Sequence, residues 1–535
     1  MPTFKLDNRE IPFQPGDTII RAAHRAGIDI PHYCWHPGLS VAANCRMCLV
    51  EVMPPPGRPA LNLAVLAWDA EKQAYVDQKK PKLQPACQMT VTEGLDVRSD
   101  SSEHVERARS AVQELLLLNH PVDCPICDQA GECRLQDYWL EHQHAKKRMN
   151  DEPVHKPKAV VFGPTIVYDA ERCIVCTRCV RFCDEVAKDP VLDVRQRGNL
   201  NEITVAPGRQ LDHPYTLMTE YVCPVGALTA TDFRFKARVW FLRSARTVCQ
   251  GCATGCNAFL DYDPRNDTAY RHRPRENAAV NGYWMCDEGM LDYRRVHQYR
   301  VLKAKTGKEE TTLSAALDRA ADTLKGVSGE NVAVVLSAQH SSEDNFAMAR
   351  FARDVLGTTN VFLSGKPPGE GDSILRNADK NPNQRGMAGA AAGLPAKPIQ
   401  DLPGLLESGQ VKTVVALGAD ARDVPPPSLV PSSGLVVLAT HAGTLTERAT
   451  VLLPASSWAE SDGTFVNAKG LAQESEQAFG PLGDSRPAWK LVAGLSVRLG
   501  KDLGFRKLAD VRKAMTPEPP QSLRPIAPPS VGGAS

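Results

Sequence analysis

The sequence predicts a multidomain chain, α+β in its N-terminal half and α/β in its C-terminal half. Three observations lead there. With 535 residues the chain is long enough for several buried cores. All 16 cysteines lie between Cys34 and Cys286, so one half is built around them and the other is not. From about residue 331 the apolar runs "VAVVL" (332–336), "VVAL" (414–417), "LVVLA" (435–439) and "VLLP" (451–454) alternate with helical patterns such as 343–356. That rhythm marks buried strands of a parallel sheet with helices between them.

The elements follow in chain order. Residues 1–98 read as β-rich with one helix: "TIIRAAHRAGIDIP" (18–31) has helical apolar spacing up to Gly27, then an extended piece runs into Cys34. "CRMCLVEVM" (45–53) passes from a cysteine loop into an alternating strand, and "PPPGRP" (54–59) marks a turn or insertion. Residues 103–118 form an amphipathic helix, with Val105, Ala108, Val112, Leu115 and Leu116 expected on its buried face and Asp100 with Glu103 resembling a capping box. His120 follows and Pro121 stops the helix. A linker is expected at 145–157, short strands at 158–243, and a disordered tail rich in Pro, Ser and Gly at 516–535. The expected boundaries are therefore 1–98, 99–144, 145–243, 244–300, 301–515 and 516–535.

Charge excludes some function classes. Sixty-three basic residues against 62 acidic ones give no support to nucleic-acid or polybasic membrane binding. "MPTFKLDNRE" has no basic stretch followed by an apolar one, so no signal peptide is expected. No run approaches the roughly 18 apolar residues of a membrane span. A soluble protein is expected, one able to dock onto a membrane assembly.

Dense C-x-x-C spacing without a secretory signal reads as metal ligation rather than disulfides. The first group is Cys34-x10-Cys45-x2-Cys48 with a distant Cys87. It keeps the paired C-x2-C and remote fourth cysteine of a plant-type [2Fe–2S] site, with a longer first gap. Ala42, Ala43 and Asn44 are small enough to let backbone N–H groups approach the sulfurs. Zinc is the alternative, disfavoured because zinc sites usually come as two C-x2-C pairs.

The second group, "HPVDCPICDQAGEC" (120–133), supplies Cys124, Cys127 and Cys133, one ligand short of a tetrahedral set. His120 sits where the helix ends and the chain reverses, and a neutral imidazole is a competent iron ligand. Its plain alternative is a histidine capping the helix. Beside a three-cysteine set, ligation of a [4Fe–4S] cluster is favoured over that, and over His104, His142 and His144.

The third group is Cys173-x2-Cys176-x2-Cys179-x3-Cys183, with Cys223 in "YVCPVGAL". In two-cluster ferredoxins the fourth cysteine of each run ligates the other cluster. Residues 184–222 contain no cysteine, so one [4Fe–4S] cluster is expected on Cys173, Cys176, Cys179 and Cys223, leaving Cys183 as a small buried residue. Arg172, Arg178 and Arg181 could offset the cluster's charge or be solvated surface charge. The fourth group, Cys249, Cys252, Cys256 and Cys286, suits another [4Fe–4S] cluster, with zinc as the alternative.

These motifs in this order resemble the large iron–sulfur subunit of bacterial NADH–quinone oxidoreductase, the respiratory complex I. The resemblance covers residues 1 to about 300. It implies a plant-type [2Fe–2S] ferredoxin-like domain, a His/Cys cluster domain, a bacterial-ferredoxin-like domain and a fourth cluster that only some members carry. It implies electron transfer from an NADH/FMN flavoprotein subunit towards downstream iron–sulfur and quinone-site subunits, on the cytoplasmic side of the inner membrane. "LLPASSWAESDGTFVNAKGLAQ" (452–473) resembles a stretch of molybdopterin oxidoreductases, with Leu471 where that family has arginine. No cysteine follows Cys286 to ligate molybdenum, so a truncated, degenerate domain without molybdopterin is expected.

Enzyme readings compete with the electron wire. An iron-only hydrogenase needs further cysteines after 286, and a molybdenum formate dehydrogenase lacks its metal ligand here. A diaphorase-type subunit of a soluble NAD-linked hydrogenase shares the N-terminal clusters but usually lacks the long C-terminal domain. A zinc-stapled interaction protein would be colourless.

Overall fold

The computed structural model describes residues 1–53, 59, 62–142, 148–418 and 431–515. The chain divides into two compact units, Met1–Val239 and one beginning at Trp240. Nearly all of the turn expected at 54–59, and all of the tail expected at 516–535, lie outside the described residues. Residues 148–157 form neither helix nor strand.

The first unit opens on a sheet ordered Arg9–Pro12, Thr3–Leu6, Asp96–Arg98, Leu49–Met53, Gln84–Pro85. Thr3–Leu6 pairs parallel with Asp96–Arg98 and antiparallel with Arg9–Pro12. The helix Ile19–Arg25 lays Ile19, Ile20, Ala22 and Ala23 on Phe4, Leu6, Val50 and Val97, which closes the core. Gly27, at φ +73, ends it by a left-handed turn that a Cβ would strain. The cysteine loop 34–48 runs from this helix to the sheet. The insertion before Cys87 is a separate hairpin, Asn62–Asp69 against Ala74–Pro81, with Leu66, Trp68 and Tyr75 exposed.

The helix expected at 103–118 is Glu103–Leu117, but its buried face is different. Val105, Arg109 and Gln113 are buried, while Ala108, Val112 and Leu116 are half-buried and Leu115 is exposed. Polar partners bring the two inward. Arg109 donates to Asp100 (2.7 Å) and Ser99, and Gln113 donates to the Tyr33 hydroxyl at 2.6 Å. The expected Asp100–Glu103 box does not form, because Arg109 takes Asp100. Ser102 is the N-cap, accepting from the Val105 amide at 3.3 Å and donating to Glu51.

The rest of this unit carries a sheet of Leu228–Ala230, Ile166–Tyr168 and Val160–Val161, and a two-stranded pair, Leu192–Arg195 with Glu202–Val205. The helix Arg178–Arg181 widens into a looser turn at Phe182–Val186.

The second unit begins with an antiparallel sheet, Arg243–Val248, Asn257–Asp263 and Thr268–Pro274. An eight-stranded sheet follows among the described residues. The four predicted runs appear in it as Val332–Ser337, Thr413–Leu417, Gly434–Ala439 and Val451–Pro454, all mutually parallel and fully buried. At one edge Ala304–Thr306 pairs antiparallel with both Val451–Pro454 and Glu309–Thr311, so the sheet is mixed rather than purely parallel. Helices Leu313–Leu324, Ser342–Arg350 and Ala488–Arg498 share one core with it, and Leu402, Leu435 and Leu445 form a second. Beneath lies a buried ion pair, Arg300 to Glu460 at 2.6 Å, with Glu460 also accepting from the Ser457 and Leu482 amides. Among the described residues no helix is long and apolar enough to cross a membrane.

Candidate metal centres

In the first set Cys34, Cys48 and Cys87 are buried and Cys45 is partly so. The thiols influence one another mainly in two pairs, Cys34 with Cys45 and Cys48 with Cys87. The Cys45 thiol draws Cys34 down to about 5 against the opposing cost of burial, and the Cys45 and Asn44 amides assist. Ala43 and Arg46 flank Cys45 at φ +52 and +60. Two left-handed non-glycine residues in one loop hold the backbone in a sparsely populated conformation.

The second set lies on the short turn Cys124–Ile126 and the residues after it. Burial pulls His120 down to about 4, so its imidazole is neutral at pH 7, the form that binds metal. Its Nδ1 is buried with no hydrogen-bond partner among the described residues. His104 and His142 also have one such nitrogen each, but His142 is committed to Glu106 through the other at 3.0 Å. His144 lies outside the described residues. Asp123 and Arg172 bear on both His120 and Cys127, which places these two in one environment. Burial pushes Cys133 up to about 11. Gly226 faces the Cys127 sulfur so closely that a Cβ there would overlap it.

In the third set Cys173, Cys176, Cys179 and Cys223 line a single cavity, otherwise walled largely by Ile174, Ile203, Val225, Ala227 and Leu228. Burial pushes Cys173 and Cys176 up to about 11 and Cys223 up to about 12. Metal binding here must displace protons. The Val175 amide donates to the Cys173 sulfur at 3.3 Å, and the backbone is left-handed at Val175 and Thr177. Cys183 does not line the cavity; its sulfur lies 3.6 Å from His213 Nε2.

In the fourth set Cys249, Cys252, Cys256 and Cys286 are all buried. The Gly251 amide donates to Cys249 Sγ and the Gly289 amide to Cys286 Sγ, both at 3.4 Å. The stretch that resembles molybdopterin oxidoreductases holds this loop. Asn467 donates to the Thr254 carbonyl at 3.3 Å, the Ala468 amide to Ala253 at 2.8 Å, and Gln473 to Gly255 at 2.9 Å while accepting from Asn257. Leu471 bonds through its backbone alone, its amide donating to Asn467 Oδ1 at 3.0 Å and its carbonyl accepting from the Asn467 amide at 3.1 Å.

The structure separates three arginines that look equivalent in the sequence. Arg172 pairs with Asp123 at 2.6 Å. Arg181 donates to the carbonyls of Ser40, Cys34 and Cys176. Arg178 is buried and donates to the carbonyls of Trp35 and Val222. Sequence reasoning missed the ties from Arg178 to Trp35 and from Arg181 to Cys34 because they span 143 and 147 residues. The third set thus adjoins the first through Arg178 and Arg181. It adjoins the second through Arg172–Asp123, the Arg134 amide on Pro224 (3.1 Å) and Gly226 beside Cys127. Among the described residues no three His, Cys, Asp or Glu side chains converge closely enough for a single metal ion.

Thiol-rich loops on small sheets, followed by a doubly wound domain, define a modular ferredoxin-type iron–sulfur protein with a molybdopterin-oxidoreductase-like C-terminal half. Family models agree along the chain. A 2Fe-2S iron-sulfur cluster binding domain matches residues 1–102, and the NADH-ubiquinone oxidoreductase-G iron-sulfur binding region matches 109–148. The ferredoxin-like domain of NADH-quinone oxidoreductase subunit 3 matches 163–229, and molybdopterin oxidoreductase matches 314–498. The chain belongs to the family of the G subunit of NADH-quinone oxidoreductase.

Relatives of that name are 31% identical over 487 residues in Streptomyces coelicolor (88% of this chain, 54% of that one) and 33% over 377 in Mycobacterium bovis (69% and 43%). In Rickettsia felis the identity is 34% over 368 residues (68% and 50%). The chain spans about half the length of these curated relatives. An NAD+-reducing [NiFe]-hydrogenase structure aligns at TM-score 0.36 and 29% identity, over 44% of this chain and 91% of that one.

Proposed function

We propose that this chain is an electron-carrying subunit. It takes electrons from an NADH/FMN flavoprotein subunit and passes them towards the iron–sulfur and quinone-site subunits of complex I, at the cytoplasmic side of the inner membrane. The ligand sets are Cys34, Cys45, Cys48 and Cys87 for one [2Fe–2S] cluster, and three [4Fe–4S] sets. Those are His120, Cys124, Cys127 and Cys133; Cys173, Cys176, Cys179 and Cys223; and Cys249, Cys252, Cys256 and Cys286.

The observation that carries the reading is the cavity ringed by Cys173, Cys176, Cys179 and Cys223, with the first and second sets adjoining the third. A protein wire needs such neighbouring sites and no substrate pocket of its own. The paired thiols of the first set suit a two-iron core, which takes two ligands per iron. His120, neutral and with its Nδ1 unpartnered among the described residues, suits a fourth ligand. Clusters held there would accept and release single electrons. The residues supply burial, N–H donors to sulfur and fixed spacing.

The C-terminal unit acts as scaffold. Its former cofactor stretch is spent on bracing the Cys249–Cys256 loop, and Leu471 offers no charge for a cofactor phosphate.

Anaerobic purification with iron, sulfide and molybdenum analysis and electron paramagnetic resonance tests the reading. About 14 irons per chain, one [2Fe–2S] signal and no stoichiometric molybdenum are expected. A colourless, zinc-loaded protein refutes it.

A further inference from the structure

Arg178 is buried in the first unit, and its Nε is buried without a hydrogen-bond partner among the described residues. Unlike Arg172, it has no carboxylate within ion-pair reach among them. The groups of opposite charge that bear most on it are the sulfurs of Cys176, Cys34 and Cys223 and the phenol of Tyr138. An isolated buried cation is strongly unfavourable unless something nearby compensates it. Tyr138 cannot, because burial keeps its phenol protonated. The sulfurs can, once they ligate iron as thiolates. They belong to two different sets, the first and the third.

Arg178 is also fixed between those sets. One guanidinium arm donates to Trp35, next to Cys34, and the other to Val222, next to Cys223, at 3.3 Å. Arg181 touches the same two sets, through the carbonyls of Cys34 and Cys176, but it is only partly buried and solvent screens it.

We propose that Arg178 is the shared counter-ion of the first and third cluster sites, a positioning residue that keeps both reducible at a higher potential than their sulfur ligands alone would allow. The inference rests on the iron–sulfur reading above. Adding an electron to either site adds negative charge beside a fixed, poorly hydrated cation, which stabilises the reduced form.

The test is a redox titration of the full chain, purified anaerobically, followed by electron paramagnetic resonance in the parent, Arg178→Gln, Arg178→Lys and Arg181→Gln. In Arg178→Gln the [2Fe–2S] signal and one [4Fe–4S] signal should both become harder to reduce. The reduced-to-oxidised ratio at fixed potential should fall at least tenfold, which is 59 mV for one electron. The other two signals should hold still. Arg178→Lys should restore most of both shifts, and Arg181→Gln should move them less. A parent without iron–sulfur signals defeats the functional reading itself. A parent with all its signals, and an iron-replete Arg178→Gln in which neither or only one potential moves, defeats this inference alone. If Arg178→Gln loses iron, Arg178→Lys decides: parental potentials support the counter-ion, and equal iron loss shows a packing role and overturns it.

Discussion

Three glycines face sulfurs of the proposed ligand sets at graded distances, which makes them a ruler for the sites. A Cβ on Gly251 would lie 3.5 Å from Cys249 Sγ, an ordinary contact. On Gly289 it would lie 3.0 Å from the same sulfur and from Met285 Cε, tight but relieved by a flexible methionine. On Gly226 it would come closer to Cys127 Sγ than the 3.0 Å that real Cβ atoms respect, with Gln129 Cβ at 3.0 Å behind. None of the three needs a left-handed backbone, so Ala substitution adds a methyl group and little else. Overpacking by one carbon costs about 1–3 kcal/mol where the neighbours cannot retreat. A sulfur can retreat only by leaving its ligand position. Gly226→Ala should therefore lose about four of about 14 irons and one [4Fe–4S] signal. Gly289→Ala should show partial loss at the fourth site, and Gly251→Ala should match the parent. Iron and sulfide counts with paramagnetic spectra read all three. An iron-replete Gly226→Ala with every signal intact, or a Gly251→Ala as damaged as Gly226→Ala, would refute the reasoning.

Further outcomes are expected elsewhere. His120→Ala should lose one [4Fe–4S] signal and leave the others, since no other set shares that ligand; full iron would make His120 a mere helix cap. Cys183→Ala should keep every cluster, its sulfur facing His213 outside the cavity, and a loss of about four irons would place it in the third site. Glu460→Gln strands the Arg300 charge at a site almost closed to solvent. Denaturant titration should show about 3–5 kcal/mol lost from the C-terminal unit, and a change under 1 kcal/mol, roughly that of an exposed pair, would contradict the buried pair. Burial raises Asp344 to about 6, so the folded unit holds that proton more tightly than the unfolded chain. This contribution is complete below about pH 4 and is lost as pH rises through about 6. Asp344→Asn should thus gain stability over the parent more at pH 7.5 than at pH 5.5, and an equal difference at both would count against the shift.

What the sequence made legible was whatever depends on local spacing. The four apolar runs read as parallel strands because a doubly covered sheet needs continuous burial, and the cysteine groups declared themselves by their gaps. What escaped depends on distant partners. Arg109 and Gln113 turn inward only because Ser99, Asp100 and Tyr33 await them, so the apolar stripe misled. Arg172 and Arg178 sit at like places beside cysteines, and only Asp123, folded back from the second set, tells them apart. The two antiparallel edge strands were short and half-polar, with no periodicity to betray them. The use of Asn467 and Gln473 as clasps for a loop more than 200 residues earlier left no local mark.

That clasp also sets a timetable. Gln473 closes on Asn257 across 216 residues. At roughly 5–20 residues per second a ribosome needs roughly ten to forty seconds to cover that stretch. The first three thiol sets are complete in the nascent chain once Cys223 has emerged. The Cys249–Cys256 loop stands without its clasp until residue 473 has been synthesised. The fourth thiol set is therefore the last of the four to gain its full set of supporting hydrogen bonds.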